Sequence, residues 1–152
     1  MTGRRLHPAV HRRTCVGAND VELVADAHGN PDAPAVLLLH GGGQTRHSWG
    51  GVAETLSNAD FYAVNADLRG HGQSGWDPNG DYSFAAQMID VEAWCDLLGR
   101  PAIVGASLGG LAGFGRKELE QRTVSRLPGR AWCWSTLPIA ARPRVSSESS
   151  AS

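Results

Sequence analysis

Two kinds of apolar pattern run along the chain, and they predict two kinds of strand. Val21, Leu23 and Ala25 alternate with Glu22, Val24 and Asp26, an imperfect period of two. Across Gly17-Ala18-Asn19-Asp20 they face Thr14–Val16, which predicts an antiparallel hairpin at the N-terminal end. Ala35–Leu39 reads Ala-Val-Leu-Leu-Leu with no alternation, as a strand covered on both faces does. Phe61–Asn65 and Ala102–Val104 are further short buried strands. Helices are expected between them. Ser48 is a candidate N-cap for a helix over Trp49–Leu56. Ser83 caps a second helix reaching about Leu98, with Phe84, Met88, Val91, Trp94, Cys95 and Leu98 at helical spacings as its buried face. Gly99 and Pro101 stop it.

Strand and helix therefore alternate, and the fold class is α/β: a mostly parallel sheet with helices on both faces. Three glycine-bearing loops follow strand ends: His40-Gly41-Gly42-Gly43, Asp67 to Ser74, and Gly105 to Gly109. Ligands in such sheets bind at the carboxyl ends of strands, so the three loops should converge on one crevice.

The third loop carries the sharpest chemical signal. Ser107 sits between Gly105 and Gly109 on a strand-to-helix turn, Gly-x-Ser-x-Gly. A serine at such an apex takes strained backbone angles, and a side chain two residues away on either side would strike the neighbouring strand or helix. The turn lifts the hydroxyl off the sheet, and the N–H groups of the new helix favour negative charge beside it. In the same way, glycines after Leu39 leave backbone N–H groups free to face a ligand.

The three segments Leu-Leu-Leu-His-Gly-Gly-Gly, Asp-Leu-Arg-Gly-His-Gly-Gln-Ser and Val-Gly-Ala-Ser-Leu-Gly-Gly come in the order and at the intervals of the α/β-hydrolase-fold family. Residues 13–114 resemble the N-terminal portion of such a domain, and the β-hairpin opens it. The resemblance implies that Ser107 is the nucleophile. It implies an oxyanion hole from the backbone N–H groups of Leu108 and Gly42. His40, Gly41, Gly43 and the Asp67–Ser74 loop would shape and brace the site. Two fixed donors of this kind are worth about 3–4 kcal/mol each in a dry site. A serine at the elbow resembles the esterase-like, C–C-cleaving or cofactor-free peroxidase-like members. Epoxide and haloalkane hydrolases, which place an aspartate there, are disfavoured. The expected substrate is a small ester-like molecule, with neither cofactor nor metal.

Composition narrows the picture further. The 152 residues make one domain's worth of chain, short for a complete large α/β enzyme. The net charge of −1 argues against a nucleic-acid binder. Cys15, Cys95 and Cys133 have neither metal-type spacing nor a pairing pattern, so a reducing, cytoplasmic location is expected. No membrane-spanning stretch and no signal-peptide apolar run is visible. Met1–Arg12 is polar and expected to be loosely held; His7 and His11 lack a third partner for a metal.

After Ser107 the pattern departs from the family. A serine needs a base, and the family supplies an acid and then a histidine later in the chain. Residues 108–152 contain no Asp and no His. His40 and His71 lie near the crevice, but neither plays the base in the family. Up to Gly115 seven Arg stand against twelve Asp and Glu; from Arg116 seven Lys and Arg stand against three Glu. Residues 115–152 are thus expected to be a non-family tail, with a polar helix over Arg116–Leu127 and disorder from Arg142. Codons for Ala131-Trp-Cys-Trp-Ser-Thr136, read one base out of register with a TCN serine codon, give a Leu-Val-Leu-Val-Asp type of strand. A frameshifted end is therefore expected, leaving Ala102–Val104 as an exposed apolar edge and the chain marginally stable. Three readings follow: a truncated hydrolase inactive by itself, a short serine hydrolase completed by another chain, or a noncatalytic interaction module.

Overall fold

A computed structural model describes residues 10–113 together with the backbone of Cys133–Trp134. The strands are β1 (His11–Val16), β2 (Glu22–His28), β3 (Ala35–Leu39), β4 (Tyr62–Ala66), β5 (Ala102–Gly105) and β6 (Cys133–Trp134). They form one sheet in the order β1-β2-β4-β3-β5-β6. β1 pairs antiparallel with β2, and β2 with β4. The pairs β3–β4, β3–β5 and β5–β6 are parallel. The helices are α1 (Gly50–Asn58) and α2 (Phe84–Leu98), with a further helical stretch over 108–113.

The unbroken apolar run of β3 is explained by two cores, one on each face. Val36 and Leu38 pack with Ala63 and with Ala53 of α1. Leu37 and Leu39 pack with Val64, Ala66, Ile103, Ala112 and with Val91, Trp94 and Cys95 of α2. Side chains alternate across a strand, so a strand with helices on both sides needs an apolar residue at every position. The hairpin is as expected, with Val16 opposite Glu22. Ser83 caps α2 by accepting from the Ala86 N–H, and Gly99 ends it in the left-handed conformation at φ 68°.

Several expectations are corrected. Helix α1 has no serine cap: a 3-10 turn over Arg46–Trp49 feeds it directly, because Arg46 is drawn inward by carboxylates and the turn is closed by backbone bonds such as Ser48 N–H to Thr45 O. Phe84 is exposed, while Gln87 and Asp90 are buried on α2. That face of the helix meets a guanidinium as well as aliphatic side chains. β1 begins at His11, so His11 and Arg12 belong to the ladder rather than to a loose tail. β5 is not a bare edge, since Ile103 and Val104 pair with Cys133 and Trp134; its open N–H and C=O groups recruit the later segment. The expected helix over Arg116–Leu127, the disorder from Arg142 and the residue His7 lie outside the described residues.

Candidate active site

The elbow is where expected. Ser107 follows β5, precedes the helical stretch 108–113, is exposed, and has φ 48°. The sterics that call for glycine on either side are explicit. A β-carbon at Gly105 would lie 2.5 Å from the Gly110 nitrogen, and one at Gly109 2.6 Å from the carbonyl oxygens of His40 and Leu39. Backbone bonds tie the elbow to the end of β3: Ala106 N–H donates to Leu39 O at 3.0 Å and Gly109 N–H to His40 O at 3.2 Å. The glycine loop lies against it. A β-carbon at Gly41 would come 3.6 Å from Ser107 Cβ, and one at Gly42 would come 4.0 Å from a Leu108 methyl.

The amides of the glycine run have different fates. Gly41 N–H donates to Gln44 Oε1 at 3.0 Å, and Gly43 N–H to His71 Nε2 at 3.3 Å. Among the described residues the Gly42 and Leu108 amides donate no hydrogen bond. Leu108 opens a helical turn, where the first N–H groups have no intrahelical partner.

His40 is fully buried. Its Nδ1 donates to Gly41 O at 2.8 Å and its Nε2 accepts from Leu68 N–H at 3.0 Å. Burial is the main cause holding its pKa below 6.5; the Gly41 carbonyl pulls the other way, and the neighbouring His71 adds to the depression. The ring is a neutral strut joining two loops, and both nitrogens are engaged. His71 is similar: Nδ1 donates to Arg69 O at 3.0 Å while Nε2 takes the Gly43 N–H. The two rings stand 5.0 Å apart.

Beneath the loops lies a buried ionic frame. Asp67 accepts from the backbone N–H groups of Arg46 (2.7 Å) and Gln73 (2.9 Å) and from the Arg46 guanidinium (2.5 Å). Burial would raise the Asp67 carboxyl, but these donors outweigh it and hold the group below the usual carboxylate range. Arg46 also donates to Asp26 at 2.8 Å and to Gln73 at 2.7 Å. Gly72, at φ 52°, is required because a β-carbon would strike the Asp67 carboxylate at 2.2 Å. The sequence reading missed Gln44, Arg46 and Asp26. A lone arginine entering a helix was the only trace of Arg46, and Gln44 left none. Among the described residues no group of three or more His, Cys, Asp or Glu is placed to hold a metal. No helix of the described residues is long and apolar enough to cross a membrane.

Residues 34–114 match the alpha/beta hydrolase fold family, and the chain belongs to that family. Its relatives carry several chemistries. It is 40% identical over 84 residues to an esterase of Mycobacterium tuberculosis, a match covering 52% of this chain and 26% of that protein. It is 38% identical over 107 residues to a fluoroacetate dehalogenase of a Burkholderia species, covering 66% of this chain and 34% of that one. In three dimensions it resembles an epoxide hydrolase from Vigna radiata (TM-score 0.66, 26% identity, 76% of this chain and 37% of that chain). A thioesterase domain from the curacin biosynthetic pathway shares the fold (TM-score 0.67, 22% identity, 76% of this chain and 44% of that chain). The matches thus span about a quarter to a third of the curated relatives' lengths.

Proposed function

We propose that residues 13–114 carry the nucleophile half of a serine esterase-type site acting on a small ester-like substrate in the cytoplasm. Ser107 Oγ attacks the ester carbonyl carbon, and its proton passes to a base as the C–O bond forms. The electron pair of the carbonyl moves to oxygen, which takes hydrogen bonds from Leu108 N–H and Gly42 N–H. The carbonyl then re-forms as the alkoxide leaves with a proton, and water releases the acid from Ser107. One observation carries the reading: an exposed serine at φ 48° between two glycines that tolerate no β-carbon, beside the one uncommitted amide of the glycine run. A serine here favours esterase-type chemistry over that of epoxide and haloalkane hydrolases, for which the family resemblance implies an aspartate at the elbow.

The base comes from outside this sequence in our reading. Residues 108–152 hold no His or Asp, and the lone pairs of His40 and His71 Nε2 are already used by backbone amides. The chain by itself is therefore inactive or nearly so. A fluorophosphonate probe with mass-spectrometric site mapping tests this. Slow labelling of Ser107 with no turnover of p-nitrophenyl acetate is expected. Brisk turnover abolished by Ser107→Ala would overturn the incomplete-site reading and favour a base supplied by a second chain.

Residues 115–152 are read as a change of coding frame. The family match stops at residue 114, and β6 falls on Cys133–Trp134, inside the codons whose neighbouring frame reads as an apolar strand. The gene's nucleotide sequence decides it: a neighbouring frame with no family-like continuation removes the idea.

A further inference from the structure

The hydrogen bonds of the glycine run are more selective than bracing requires. Gln44 closes the turn on itself, giving its own N–H to Gly41 O at 3.2 Å while its side-chain oxygen takes the Gly41 N–H. His71 reaches the other end from 28 residues away and takes the Gly43 N–H. Its ring proton is assigned to Nδ1 by the Arg69 carbonyl it donates to, which leaves Nε2 as an acceptor. We propose that Gln44 and His71 are the positioning residues of this turn: each takes one flanking amide, so that Gly42 N–H alone stays free beside Ser107. The proposal deepens the reading of Gly42 given above and rests on it for the turn's purpose.

A consequence separates this from simple packing. Protonation of His71 puts an N–H on Nε2, opposite the Gly43 N–H, and the hydrogen bond ends. The turn is then held at one end only. The titratable and charged groups around the ring are His40 from the end of β3 and, behind it, Asp67, 3.9 Å from His40 Nε2, with its partner Arg46.

The test is a pH titration of the full, isotope-labelled chain by NMR, following the His71 ring and the amides of Gly41, Gly42 and Gly43 together. The Gly43 amide should shift with the same midpoint as the His71 ring. Below that midpoint its hydrogen exchange should rise roughly three- to tenfold, the loss of one ordinary hydrogen bond. His71→Leu should show the low-pH Gly43 shift at every pH. His71→Gln, whose side-chain oxygen can accept, should restore the high-pH shift without a titration. Gln44→Met should move the Gly41 amide and leave Gly43 in place. A Gly43 amide indifferent to the His71 titration in the unmodified chain overturns the proposal, and that measurement needs no variant to fold. Phosphonate labelling addresses Ser107 separately, so the two readings can fail independently.

Discussion

Asp67 and Arg69 stand two residues apart after β4, and each is about 1% exposed. They brace different halves of the molecule. Asp67 holds Arg46 and the backbone of the loop that leads back to the glycine turn. Arg69 faces the other way. It donates twice to Asp90 of α2, at 2.6 and 2.7 Å, and to Asp77, and it takes up the carbonyls of Ala18 and Asp81. It therefore pins the hairpin, the 75–83 loop and α2 together. Even the hairpin turn is shaped for it, since a β-carbon at Gly17 would strike Asp90. One buried pair belongs to the site and the other to the scaffold. Identical chemistry has different consequences because the partners come from different segments.

Breaking the scaffold pair should cost most. Arg69→Met leaves the Asp90 and Asp77 carboxylates buried without their cation, and about 3–5 kcal/mol of stability should be lost in urea unfolding. The amides of Gly41–Gly43 should not move. Asp67→Asn should cost less, about 1.5–3 kcal/mol, because Arg46 keeps Asp26. It should, however, shift the amides of residues 41–46 in NMR spectra. Equal losses with equal amide shifts would erase the distinction between the two pairs.

Acid is a gentler probe of the site half. The native state keeps His40 neutral below the pH at which the unfolded chain takes up a proton, so stability should fall as pH drops below 6.5. A second decline should begin below 3.8, as the stabilisation of ionised Asp67 is lost through its lowered native pKa. Urea midpoints between pH 8 and 3 should show both steps, and His40→Gln should remove the first. The smallest effect serves as the control. Ser83→Ala removes the α2 cap, for about 1 kcal/mol, and should leave the glycine-turn amides unchanged.

Much of this was legible in the residues, for physical reasons that differ by region. The two-sided cores on β3 follow from five apolar residues in a row, and the Ser83 cap and Gly99 stop are local rules. Other expectations failed where a distant charge outweighed a local preference. Phe84 stands exposed as the first residue of α2, while Asp90, which the apolar spacing passed over, is buried because it accepts from Arg69. Ser48 lost its capping role because Asp67 draws in Arg46 and the turn tightens. The pairing of β5 with Cys133–Trp134 could not be read from so short a segment, because its partner strand lies 30 residues away.

Local patterning was enough to mark the elbow and the succession of strands and loops along the chain; the clash that requires Gly105 is local, with Gly110, whereas the one that requires Gly109 is with Leu39 and His40 at the end of β3. Only the folded chain decided which amide of the glycine run stays free, which histidine nitrogens are spent, and which carboxylate each buried arginine takes. Those choices pair groups up to 28 positions apart, as Gly43 N–H with His71 shows, and the same Asp90 that holds Arg69 also takes the Ala18 N–H from 72 positions away. Sequence spacing carries no record of such partners, because they are selected by burial: a polar group removed from water must accept whatever complementary group the packing brings within reach.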